Sequence, residues 1–184
     1  NDYAIVCGWA LQGKTFLVGD VAGGLYAFEG NSGKLIWQIK DIHKGGLLAM
    51  SIHPDGNTFA TAGQDGHVCI WESKEGKSIE NLELGKGWVE HIKWSPDGKF
   101  LAVVFTKYVY VFDENGQEHW RSEEHPSTVS AISWSNSNEL ATACYGQVTF
   151  FDVVSDKINQ KLEWRGSLVS MVLSPDGDIV ACGS

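Results

Sequence analysis

His53-Pro54-Asp55-Gly56, Ser95-Pro96-Asp97-Gly98 and Ser174-Pro175-Asp176-Gly177 are near copies of one four-residue turn. Leu11-Gln12-Gly13-Lys14 and Ser135-Asn136-Ser137-Asn138 fall where two further copies belong, which gives a period of about 41 residues along the whole chain. Nothing else in the sequence constrains the fold as strongly. A unit of that size cannot bury its apolar face alone, so neighbouring units must stack.

Each unit repeats one internal grammar. An apolar run leads into the turn, as in Leu47–Ile52 and Val129–Trp134, and a second β-rich run follows, as in Thr58–Ala62 and Leu101–Phe105. A third run closes on an aromatic and an acid: Phe28-Glu29, Trp71-Glu72, Phe112-Asp113 and Phe151-Asp152. A polar turn then leads to a fourth run, Leu35–Lys40 or Ser78–Leu84. Val, Ile, Thr and aromatics fill the runs while Gly, Asn and Asp punctuate them, which is the signature of strands joined by hairpins. No apolar stripe of helical period and length interrupts them. The expected fold is all-β.

Four short antiparallel strands per unit, the third ending in an aromatic-acid pair, resemble the WD-repeat (WD40) β-propeller family. The second unit is the most faithful copy, with His43 before its first strand, Thr61 in its second, Asp65 in the Gln64-Asp65-Gly66 turn and Trp71 in its third. The resemblance implies a structural tetrad in which Asp fixes His, His donates to the hydroxyl, and the hydroxyl meets the indole N–H. The fourth unit keeps His125 and Thr142 but has Phe151 for Trp and no Asp in its turn. The third has Val103 and Phe112 at the matching places, and the first has Val18 and Phe28. Those two units are expected to be held by apolar packing.

The units run approximately 1–40, 41–84, 85–124, 125–164 and 165–184, the last having only a first strand (Leu168–Leu173) and a second run (Asp178–Ser184). The first begins almost directly with a strand, Ala4–Trp9. About four and a half blades are expected, a partial propeller. Because the family usually closes rings of seven or more blades and the chain opens on Asn1, the sequence is read as a fragment of a larger propeller, completed by a missing segment or a second chain.

Charge bears on the partner. Fourteen basic residues against 23 acidic give −9, with the largest excess in residues 41–84. Nucleic-acid affinity comes mainly from neutralising phosphates, and no cluster of Lys or Arg occurs, so nucleic acid is not the expected partner. No run approaches the ~18 apolar residues of a membrane helix, and no membrane partner is expected. Cys7, Cys69, Cys144 and Cys182 lie far apart in apolar runs without a C-x-x-C pair. Buried free thiols in a reducing, cytoplasmic setting are the expectation. The six His and four Cys show no ligand-like spacing, so neither metal nor cofactor is expected.

A second resemblance runs through Gly24–Trp37 and Tyr110–Trp120, whose aromatic-acid-turn-Gly-x-x-x-Trp pattern is similar to the tryptophan-docking repeat of quinoprotein (PQQ) propellers. That family includes quinone-dependent dehydrogenases and non-catalytic assembly scaffolds. The enzymes require a quinone, a calcium ion and a catalytic Asp, none of which the residues here identify. The motif serves equally as a general pin for an outer strand.

The function expected is therefore a non-catalytic protein-interaction scaffold, with a PQQ-like enzyme or assembly scaffold as the alternative. A Gly-x-Ser-x-Gly elbow, a His-Glu-x-x-His pair and a phosphate-binding Gly loop are all missing. Loops entering first strands and turns joining second to third strands should share one end of the blades. That puts Trp88, Gln64, Thr106, Tyr145, Thr128 and Ser167 on the candidate protein-binding surface, with Trp88 as its anchor.

Overall fold

The computed structural model describes residues 3–136, 138–174 and 176–184. Asn1, Ser137 of the fourth unit's turn and Pro175 of the fifth lie outside the described residues. The chain divides into two compact units, Asn1–Ile92 and Lys93–Ser184, which are taken separately below.

The chain is all-β and built of propeller blades. In the first unit, β1 (Ala4–Ala10), β2 (Thr15–Asp20), β3 (Leu25–Glu29) and β4 (Leu35–Ile39) form blade 1, and β5 (Leu47–Ile52), β6 (Thr58–Gly63), β7 (His67–Glu72) and β8 (Ser78–Glu83) form blade 2. Blade 3 runs from β9 (Val89–Trp94), which straddles the division, through β10 (Phe100–Phe105) and β11 (Tyr108–Asp113) to β12 (Glu118–Arg121). Blade 4 comprises β13 (Ala131–Trp134), β14 (Glu139–Cys144), β15 (Gln147–Asp152) and β16 (Lys157–Glu163). A fifth sheet has two strands, β17 (Ser170–Leu173) and β18 (Val180–Gly183). Each sheet follows chain order with antiparallel neighbours.

Burial explains the order. The second and third strands carry the core: β6 reads Phe59, Ala60, Thr61 and Ala62 fully buried, while β8 and β16 are exposed along nearly their whole length. Blades stack through their first strands, β1 on β5 in the first unit and β13 on β17 in the second. Small residues permit this approach, since a Cβ on Gly8 would lie 2.8 Å from Ile52 Cγ1. Leu11 and Gln12 form a short 3-10 turn with positive φ. The Leu11 N–H donates to the Gly56 carbonyl at 3.0 Å, tying the blade 1 turn to its counterpart in blade 2.

The thiols differ from expectation. All four are free, and Cys69 and Cys144 are buried, but Cys7 and Cys182 are exposed. Both sit in apolar runs, yet β1 and the β17–β18 pair present sheet faces that leave Ile5, Trp9, Val172 and Ile179 open too. An apolar run is buried only where another sheet covers it.

Candidate functional site

Two constellations merit a functional reading, one inside the blades and one on their loops. Inside blade 2, His43 Nδ1 lies 3.0 Å from Asp65 Oδ1 and its Nε2 lies 2.9 Å from Thr61 Oγ1. The Trp71 indole N–H donates to the same hydroxyl at 2.8 Å. Asp65 also accepts the backbone N–H groups of Lys44 (2.8 Å) and His67 (3.2 Å), so one carboxylate fixes both the loop and the turn. His43 and Thr61 are buried.

The protons in this chain can be placed. Burial pushes the His43 pKa down, against the pull of Asp65, so the ring is neutral at pH 7. Burial pushes the Asp65 carboxyl up, but its hydrogen bonds to His43 and to the backbone outweigh that and hold it below the ordinary value. A neutral ring beside a carboxylate carries its proton on Nδ1. Indole N–H can only donate, so Thr61 Oγ accepts from Trp71 and gives its own proton to His43 Nε2. The relay runs Trp71 to Thr61 to His43 to Asp65, the reverse of the expected imidazole-to-hydroxyl donation. The opposite tautomer would set a ring lone pair against the carboxylate.

Blade 4 solves the same problem with fewer side chains. His125 Nε2 lies 3.0 Å from Thr142 Oγ1, and Nδ1 lies 3.0 Å from the carbonyl of Lys107. A backbone oxygen from the preceding blade's turn takes the place of Asp65. Phe151 meets the ring edge-on at 5.8 Å, where Trp71 would offer an N–H. In blades 1 and 3 the matching positions are apolar, with Val103 fully buried.

On the loops, the backbone ties each turn to the segment beside it. Gln64 N–H donates to the Gly46 carbonyl and Leu84 N–H to the Gly66 carbonyl, both at 3.0 Å. In the second unit, Val129 N–H reaches Thr106 O at 3.1 Å, Tyr145 N–H reaches Ser127 Oγ at 2.8 Å, and Gly146 N–H reaches Gly166 O at 3.0 Å. Within that unit the structure thus groups Thr106, Thr128, Tyr145 and Ser167 in adjoining loops. Gln64 and Trp88 belong to the first unit, where a Cβ on Gly66 would lie 1.8 Å from Gly85 O in the Trp88 loop. Trp88 is 53% exposed and Tyr145 62%. Trp164, 57% exposed, stands in the loop before β17 and is not among the surface residues expected from the sequence, where position 164 is only the approximate end of the fourth unit. The signal was available in Trp164-Arg165-Gly166, another large aromatic beside a glycine.

The two tryptophans of the quinoprotein-like pattern are pins. The Trp37 indole donates to the carbonyl of Ser73 at 3.2 Å, and the Trp120 indole to Asp156 Oδ1 at 2.6 Å. Each thus fastens an outer strand to the last turn of the following blade.

The family model described as the WD domain, G-beta repeat, matches residues 28–72, a segment that includes all four members of the His43 relay. Residues 28–72 carry a WD repeat. The chain is 22% identical over 98% of its length to echinoderm microtubule-associated protein-like 2 of Rattus norvegicus, of which it covers 28%. It is 24% identical over 83% of its length to the 77 kDa echinoderm microtubule-associated protein of Strongylocentrotus purpuratus, covering 30% of that protein. A shorter stretch, 38% of the chain, is 38% identical to p21-activated protein kinase-interacting protein 1-like of Gallus gallus, covering 19% of it. The chain therefore spans less than a third of the length of these relatives. Among the described residues, no group of three or more His, Cys, Asp or Glu side chains is placed to hold a metal ion, and no helix is long and apolar enough to cross a membrane.

Proposed function

We propose that this WD-repeat chain is a non-catalytic scaffold that binds other proteins through the loops bearing Trp88, Tyr145 and Trp164. The observation that carries the reading is the exposure of large aromatics in loops between strands, Trp88 in the first unit and Tyr145 and Trp164 in the second. Exposed Trp and Tyr on a fixed frame bury much area on contact at little entropic cost. The His43 relay, the one array here with the look of acid-base machinery, has its members bonded to one another inside blade 2, which favours a structural role. Cys69, pushed up to about 11 by burial, is an inert thiol and fits a reducing, cytoplasmic setting.

Affinity capture with quantitative identification of bound proteins tests the reading. The Trp88→Ala/Tyr145→Ala/Trp164→Ala variant should lose at least one partner about tenfold while keeping its melting temperature, because truncating an exposed anchor removes contact area and leaves the core intact. An unchanged partner set would overturn the proposal. A large fall in melting temperature would assign these rings to packing instead.

A further inference from the structure

We propose that blade 1 of one copy of the chain docks head to tail onto the β17–β18 sheet of a second copy, with Trp9 as the wedge and Val172 in the seat. Both halves of this joint are exposed, and a complete example of it occurs inside the second unit. The contact is made by sheet faces and is distinct from the loop surface proposed above.

The complete example joins blades 3 and 4. The Trp134 indole, at the end of β13, donates to the carbonyl of Lys93 in β9 at 2.9 Å, and its ring stacks on Phe100 with centroids 6.4 Å apart. A first-strand tryptophan thus reaches a backbone carbonyl in the first strand of the blade before it. Blades 1 and 2 make the same approach with an aliphatic residue, Ile52 against Gly8. The registers show that these residues hold one place in the blade. Trp134 is opposite Leu140, Ile52 opposite Phe59 and Trp9 opposite Phe16. Each of those second-strand residues is in turn opposite the aromatic that closes the third strand.

Trp9 is 55% exposed where Trp134 is 7%, and its indole donates to no acceptor among the described residues. Ile5 and Cys7 are exposed along the same strand, whereas Val6 and Ala10 pack into the core shared with blade 2. The seat is on the β17–β18 sheet. Met171, Leu173 and Val180 pack towards blade 4, so alternation turns Ser170, Val172 and Ala181 the other way. Val172 precedes Leu173 as Lys93 precedes Trp94, which puts its carbonyl in the acceptor's place. A carbonyl in a sheet ladder keeps a second lone pair for an indole N–H. Ser170 and Ala181 are small enough to admit the ring, as Gly8 admits Ile52. Charge supports a covered role for both faces. The exposed outer strands β8 and β16 are studded with Glu and Lys, but β1, β17 and β18 contain no charged residue. Charges on exposed strands guard against association, and here that guard is missing. A second copy supplies the wedge for one face and the seat for the other, a heterologous contact.

Sedimentation velocity of the whole chain over a range of concentrations tests this. The chain should self-associate, and Trp9→Asp or Val172→Asp should each weaken association by about tenfold or more. Trp9→Phe keeps a ring and loses the N–H, so it should weaken association by less, and Trp88→Ala should leave it unchanged. An equimolar mixture of Trp9→Asp and Val172→Asp copies should form a one-to-one dimer and stop there, because each retains the half that the other lacks. Both positions are exposed, so circular dichroism should be unchanged. Should either variant misfold, Ile5→Lys and Ala181→Lys take their places in the same mixture. A monomer at every concentration overturns the proposal. So does association that Val172→Asp leaves intact, which would make the contact face to face through Trp9, and so does a mixture that forms no dimer.

Discussion

Blades 1 and 2 and blades 3 and 4 are two executions of one plan. In each pair, an apolar blade sends an outer-strand tryptophan, Trp37 or Trp120, onto the last turn of a second blade that carries a buried histidine bonded to a threonine. Corresponding residues recur after about 82 positions, twice the basic period. The first pair completes the plan with Phe59, Asp65 and Trp71. The second has Leu140, a backbone carbonyl and Phe151 in those roles. The difference shows which parts are exchangeable. Both imidazole nitrogens keep partners in both blades, since an unpaired buried donor or acceptor is costly. Who supplies the partner is free to vary.

The strongest way to break the comparison is to convert one blade into the other. Trp71→Phe removes a ring from the blade 2 stack and an N–H from Thr61, and should cost about 1–3 kcal/mol from lost packing and one buried hydrogen bond. Hydrogen exchange at the β6 amides would report this locally. The reciprocal Phe151→Trp offers an indole N–H to Thr142 and refills the space between blades. It should stabilise β14 by roughly 1 kcal/mol. If Phe151→Trp destabilises blade 4 as much as Trp71→Phe destabilises blade 2, the two are not alternative fillings of one plan.

A smaller effect should appear on acidification. His43 and His125 are both held below the ordinary pKa of 6.5 chiefly by burial. The unfolded chain therefore takes up these protons first. Stability is full above 6.5 and is lost as pH falls below it, until the folded-state values are reached, at no more than about 1.4 kcal/mol per pH unit for each histidine. The blades should differ in degree. Asp65 offers a protonated His43 a counter-charge, while His125 faces a neutral carbonyl with Lys161 nearby. His125→Gln should flatten the pH dependence between 6.5 and 5 more than His43→Gln does. Denaturant titrations of both variants would reveal it, and the difference cancels the contribution of His91, which shifts in the same direction.

How much of this was legible in the sequence follows from where the information sits. The strands were readable because alternation and turn residues are local: Leu47–Ile52 has the bounds of β5, and Thr58–Ala62 stops one residue short of β6. The His43 group was readable because its four members are side chains of distinctive type. The Lys107 carbonyl was not, since a backbone acceptor leaves no mark on residue identity. The same holds for the Ser73 carbonyl that receives Trp37. Leu168 and Val169 were read as strand, whereas β17 begins at Ser170, because two apolar residues in a loop, Leu168 buried and Val169 exposed, look like the start of a strand. Cys7 and Cys182 were misplaced because burial depends on which sheet lies opposite, which no local pattern records.

The finest distinction lies at the pinned turns, where Gly76 of blade 2 and Asp156 of blade 4 occupy matching places, both left-handed, at φ +69° and +54°. At Gly76 a Cβ would meet Ile39 Cδ1 at 3.0 Å and the Trp37 ring at 3.1 Å, so Gly76→Ala adds crowding to an unfavourable backbone conformation. It should cost about 1–2 kcal/mol. At Asp156 the balance is closer. Replacement by glycine relieves the left-handed strain of a non-glycine residue, worth up to about 1 kcal/mol, but removes the acceptor of the Trp120 indole, worth a similar amount. Asp156→Gly should therefore leave the melting temperature within about 1–2 °C, while indole hydrogen exchange at Trp120 quickens. A clear loss of stability would mean that the side-chain pin outweighs the backbone strain, and that blade 4 depends on its aspartate more than blade 2 depends on its glycine.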